Sequence, residues 1–67
     1  MNIKQERTSL PKLLLTIEEA AQALSLGRTL MYELIMTNQI YSIKIGRARR
    51  VPVIALQDFV TRQIDGQ

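Results

Sequence analysis

The sequence predicts a mainly α domain with a small β-hairpin, laid out as helix, turn, helix, hairpin and closing helix. Three observations predict it. Two runs with apolar residues at helical spacing, Thr16 to Leu24 and Gly27 to Asn38, are separated only by Ser25 and Leu26. After Asn38 the period changes to two, with Tyr41, Ile43 and Ile45 alternating with Ser42 and Lys44. Beyond Pro52 the helical spacing returns in Ala55, Leu56, Phe59 and Val60.

Size and composition limit what such a domain can do. A chain of 67 residues makes one domain, and at this size only about 60% of the unfolded surface is buried, so the fold is marginal. Its 46% hydrophobic content is that of a globular domain, and no apolar run approaches the roughly 20 residues of a membrane span. The start, MNIKQERTSLPK, lacks the apolar core of a signal peptide, and there is no cysteine for a disulfide. A cytoplasmic protein is the expectation. With neither His nor Cys, the usual general base, thiolate nucleophile and commonest metal ligands are missing, which leaves six carboxylates. No enzymatic activity, metal or cofactor is therefore expected.

Taken in order, Met1 to Lys12 mixes charges with Pro11 and shows no periodicity, so residues 1–12 read as a flexible arm and 13–64 as the domain. Leu13 to Leu15 is either a short strand or an apolar plug under the first helix, the plug being favoured. Thr16 and Glu19 have capping-box spacing, and a helix from about Ile17 to Leu24 follows, with Ile17, Ala20, Ala21 and Leu24 on one face. Its two alanines allow another helix to approach closely. Glu18 and Glu19 complement the helix N-terminus rather than forming a carboxylate pair. Ser25, Leu26 and Gly27 make the break, with Leu26 directed into the core.

The next helix has two faces. Leu30, Met31, Leu34 and Ile35 form one, expected to be core; Arg28, Thr29, Tyr32, Glu33 and Met36 form the other, free to touch something. Two helices joined by a three-residue turn containing glycine have the spacing of a helix-turn-helix. Asn38 tolerates a left-handed cap. Tyr41 to Ile45 reads as a half-buried strand, Gly46 as a turn, Arg49 to Val51 as the returning strand, and Pro52 as its stop. The closing helix, about Val53 to Gln63, leaves Gln57, Asp58, Thr61 and Arg62 for solvent.

The net charge of +3 matters less than its placement. No acidic residue lies between Leu34 and Gln57, and Lys44, Arg47, Arg49 and Arg50 all fall inside that interval. On a hairpin too short for a core of its own, these cations repel one another unless an anion neutralises them. A merely solvated basic turn is the alternative.

From Leu13 to Val60 the chain resembles the excisionase-like DNA-binding domains, a compact winged-helix branch of the MerR-like group. The resemblance is carried by TIEEAA at Thr16 to Ala21, Tyr32 at the centre of its helix, KIGRARR at Lys44 to Arg50, and a helix after Pro52. It implies a winged helix-turn-helix that binds double-stranded DNA in a bacterial, nucleoid-associated setting. The second helix would offer its N-terminal residues to base edges in the major groove. Arg28 would fork onto a guanine, Thr29 contact a thymine methyl or a phosphate, and Tyr32 reach a phosphate oxygen or else fill core. Lys44, Arg47, Arg49 and Arg50 would clamp the backbone. Two positions depart from the family pattern. Gly27 stands where Ser or Thr usually caps the second helix, so the cap is expected to be weaker or shifted. Glu33 stands where a phosphate-friendly group is usual, and it reads a cytosine amino group, pairs with a neighbouring Arg, or faces water.

Three roles compete. The first is a DNA-bending excisionase, an architectural directionality factor whose copies bind cooperatively and shape DNA for an integrase or recombinase. The second is a small MerR-like transcription regulator with the same reading head. The third is a module whose basic hairpin engages an acidic protein or RNA, which the scarcity of exposed aromatics disfavours. Few residues follow the last helix, leaving little tail to grip an integrase. No heptad repeat is present to fix a dimer, so a monomer that cooperates on repeated sites is the expectation.

Overall fold

The computed structural model describes residues 11–66, in which six elements follow one another. They are β1 (Leu14–Leu15), α1 (Ile17–Leu24), α2 (Arg28–Met36), β2 (Ile43–Ile45), β3 (Ala48–Pro52) and α3 (Val53–Asp65). The first ten residues of the expected arm lie outside the described residues. Lys12, expected at the arm's end, is instead anchored, its ammonium donating to the Glu19 carboxylate.

Helix α1 begins as the sequence predicts. The Glu19 amide donates to Thr16 Oγ1 at 3.1 Å, and the Thr16 amide donates to the Glu19 carboxylate at 2.9 Å, so two amides that the helix cannot pair internally are satisfied reciprocally. Lys12 first, and then the Thr16 amide, hold the Glu19 carboxyl below its ordinary range. The helix closes at Ser25, which takes a left-handed conformation at φ 58°. From there the Ser25 amide donates to the Gln22 carbonyl and the Leu26 amide to the Ala21 carbonyl, satisfying the last carbonyls.

Leu14–Leu15 is a strand, which corrects the favoured plug reading. It pairs antiparallel with β3, Leu14 opposite Pro52 and Leu15 opposite Val51, and the Val53 amide donates to the Leu13 carbonyl at 2.9 Å. Since β2 occupies the other side of β3, the sheet order is β1-β3-β2, and β1 covers backbone groups that would otherwise be left on an open edge. The fold is thus a winged helix-turn-helix with a third short strand beneath its wing.

One core joins all the layers: Ile17, Ala20 and Ala21 from α1, Met31 and Leu34 from α2, Ile40, Val51 from β3, and Ala55 and Leu56 from α3. Ala20 is wholly buried and Ala21 nearly so, which is what lets α2 lie close against α1. Leu26 packs against this core from the turn, as expected, together with Leu15, Leu24, Ile35 and Phe59.

Four apolar positions differ from the periodic reading. Leu30 is exposed, because α2 leans mainly on α1 and buries only a narrow stripe through Met31 and Leu34. Tyr41 and Ile45 are exposed because the wing runs past the edge of the core. Their place is taken by Ile40, fully buried in the irregular segment before β2. Val60 is also left 39% exposed, on the wall of an apolar groove of about 470 Å³ that it shares with Leu15, Leu24 and Val53.

Candidate nucleic-acid interface

Two elements carry the eight residues singled out by sequence, and the structure exposes both. Helix α2 presents Arg28, Thr29, Tyr32 and Glu33 to solvent, while its Met31 and Leu34 are held in the core. Inward anchoring of this kind fixes the helix and leaves the opposite face rigidly displayed. Gly27 starts it with no side-chain hydrogen bond to its first amides, and no acidic residue lies in the first turn. The weaker cap expected from Gly27 is what the helix has. Its first N–H groups are left without a side-chain partner at the positive end of the helix dipole.

Arg28 lies beside those amides and is not free. Its Nη2 is 2.9 Å from a carboxylate oxygen of Glu18, across from α1, and both side chains are more than half exposed. Exposed pairs of this kind contribute about 0–1 kcal/mol, little enough for the guanidinium to exchange its partner. Tyr32 is 45% exposed and stands outside the core cluster, so it does not fill the interior. Glu33 is exposed and forms no ion pair among the described residues. Pairing with a neighbouring Arg, one of its three readings, is therefore not adopted there.

The wing is built by the β2–β3 register, with Ile43 opposite Arg50, Lys44 opposite Arg49 and Ile45 opposite Ala48. Gly46, at φ 61°, makes the tight turn that a side chain would strain. Directly opposed residues share a face of the hairpin and alternate residues change face. Lys44 and Arg49 thus lie together on one side, Arg50 on the other, and Arg47 in the turn. Sequence grouped the four cations as one cluster; the register divides them between two faces. Like charges directly opposite each other destabilise a strand pair, and Lys44 with Arg49 is such a pair.

The hydrogen bonds of the wing cations are to neutral groups. Arg49 Nη1 donates to Ser42 Oγ at 2.8 Å, and Arg50 Nη1 donates to the Arg49 carbonyl at 3.0 Å. Among the described residues every cation outside the wing, namely Lys12, Arg28 and Arg62, is paired with a carboxylate, and none of the four within it is. Two positioning residues escaped the sequence reading. Ser42, seven positions before Arg49, becomes its partner only through the hairpin; Glu18 complements its own helix end and also holds Arg28.

Among the described residues no three His, Cys, Asp or Glu side chains come together, and no helix is long and apolar enough to cross a membrane. The apolar groove includes none of the eight residues.

Comparison with known proteins agrees with this geometry. The family model described as a helix-turn-helix domain matches residues 14–64. A probable excisionase of Saccharopolyspora erythraea is 48% identical over 56 residues, which are 84% of this chain and 57% of that one. An excisionase of Streptomyces ambofaciens is 47% identical over 51 residues, 76% of this chain and 82% of the relative. No solved structure matches significantly.

Proposed function

The chain belongs to the excisionase-type helix-turn-helix family, and from that membership we propose that it binds double-stranded DNA and directs recombination as an excisionase does. The observation that carries the reading is the contrast in ion pairing: cations elsewhere in the described domain have carboxylate partners, while Lys44, Arg47, Arg49 and Arg50 have none. A run of unneutralised cations on an exposed hairpin is a site waiting for a polyanion. Beside it stands a helix whose N-terminal amides are uncapped, and such an end favours phosphate or base contact.

In this reading α2 enters the major groove. Arg28 leaves Glu18 for a base edge, Thr29 and Tyr32 contact methyl or phosphate groups, and Glu33 faces a cytosine amino group or water. Lys44, Arg47, Arg49 and Arg50 hold phosphates. The relatives named above, one a probable excisionase and one an excisionase, favour excision over transcription regulation; an integrase is the partner such a role would need. A single module buries a modest interface and discriminates poorly against a chromosome, so copies are expected to cooperate on direct repeats. Mobility shifts on one, two and three tandem sites test that point, and a stable free dimer preferring a palindrome would defeat it.

The test of DNA binding is its salt dependence. Four phosphate contacts give a slope of log affinity against log salt of about −3.6, at roughly −0.9 per contact. Arg49→Ala combined with Arg50→Ala is expected to remove about half of that slope in a fluorescence-anisotropy titration. An unchanged slope would refute the phosphate contacts.

A further inference from the structure

The tip of the wing carries an apolar side chain that neither the core nor the cation cluster accounts for. Ile45 is 56% exposed and belongs neither to the core nor to the residues packed against it. Its cross-strand partner is Ala48, too small to cover it, and the turn at Gly46 follows immediately. Other apolar side chains are also exposed, among them Met36 and Ile64. Ile45 differs from them in standing between Lys44 and Arg47, two cations without carboxylate partners.

The cations are not on one side of it. Lys44 and Arg49 line one face of the hairpin, and Arg50 lies on the other, the face of Ile45. A ribbon with positive charge on both faces matches a groove, which has a phosphate row along each wall, better than a single backbone strand. With α2 in the major groove, the groove next to it is the minor one. Apolar side chains entering there unstack a base step and bend the duplex.

We infer that Ile45 is a wedge: the wing enters the minor groove, its cations supplying affinity from both walls while Ile45 presses against a base step and bends the DNA. This rests on the DNA-binding reading above. It assigns to Ile45 a task that the phosphate contacts do not perform, so the two are separable by experiment. Unstacking is easiest at flexible pyrimidine–purine steps, and these are the steps a wedge prefers.

The probe is an end-labelled duplex of about 30 base pairs carrying a site selected from random DNA by the full chain, with the bend read by energy transfer between its ends. Ile45→Ala is expected to lose about half or more of the bend, while its salt slope stays that of the unsubstituted protein, since no phosphate contact is removed. Ile45→Leu is expected to retain the bend. Replacing a TA step under the wing by a stiff A-tract is expected to weaken the unsubstituted protein and leave Ile45→Ala nearly indifferent. A bend unchanged in Ile45→Ala overturns the wedge, as does a joint fall in bend and salt slope, which would make Ile45 a support for hairpin shape. If the unsubstituted chain selects and binds no duplex, the DNA-binding reading itself falls.

Discussion

Helices α1 and α2 are of nearly equal length, eight and nine residues, and they close with the same device. Ser25 and Asn38, at φ 58° and 63°, each take a left-handed conformation at the helix end, and a backward bond, from Leu26 to Ala21 in one and from Gln39 to Leu34 in the other, satisfies a terminal carbonyl. Their beginnings are opposite. Helix α1 has a complete capping box and two acidic residues in its first turn; α2 has Gly27, no side-chain cap and an arginine. Space does not impose the difference, since an added Cβ at Gly27 would meet nothing within 4 Å. Helix α3 also starts without a side-chain cap or an acidic first turn, but its first amide is taken by the Leu13 carbonyl, whereas the start of α2, proposed to meet an anion, has no such partner among the described residues.

A loosely attached α2 would leave its bare start without meaning. Met31 is wholly buried while its neighbour Leu30 is exposed, so Met31→Ala is expected to cost about 2–5 kcal/mol and Leu30→Ala about 0.5 or less. Equal shifts of the urea midpoint in the two variants would mean that α2 has no firm inner face. On the outer face, Arg28→Ala is expected to cost about 1–3 kcal/mol on the preferred duplex and much less on random DNA. Equal losses on both would move Arg28 from base reading to backbone positioning.

Smaller effects sharpen the contrast between the two beginnings. Thr16→Ala removes half the capping box and is expected to cost about 1 kcal/mol, lowering Tm by about 4–8 °C. Gly27→Ser is expected to stabilise by a few tenths of a kcal/mol, and a fall in Tm instead would show that the bare start of α2 is structurally required. The last effect is acidic. Because the folded Glu19 carboxyl is held below its ordinary value of 4.5, the unfolded chain binds more protons between the two values. Its contribution is complete above about 4.5 and is lost as pH falls through the lowered folded value. Glu19→Gln, which keeps an acceptor for the box, is expected to make the acid limb of a thermal-stability profile shallower. An identical acid limb would show that the Lys12–Glu19 contact contributes nothing.

What was legible in the sequence was what is short in range. Thr16 and Glu19 lie one helical turn apart, so their bond could be read from spacing alone, as could the left-handed Asn38. The strand at Leu14–Leu15 was not legible, because its partners at Val51 and Pro52 arrive only after the chain has turned through two helices and a hairpin. Ile40 escaped because it belongs to no periodic run, and Leu30 misled because helical spacing marks an apolar face wider than α1 covers. For the candidate interface, spacing found the exposed residues of α2 and the wing's cations. It did not find Glu18 beside Arg28, Ser42 beside Arg49, or the division of the cations between two faces, all of which depend on packing or register.

Arg62 has a consequence for the joint between α2 and the wing. From α3 it bonds to Asp58 at 3.0 Å, lies over the Phe59 ring at 5.9 Å from its centre, and donates to the carbonyl of Gln39, 23 positions earlier. Gln39 begins the segment that leads from α2 to the wing. This guanidinium thus ties α3 to the joint between the helix and the wing, beside the backbone bonds from Gln39 and Ile40 to the Leu34 carbonyl and the buried Ile40 side chain. Arg62→Ala would remove one tie at that joint without altering any side chain proposed to touch DNA.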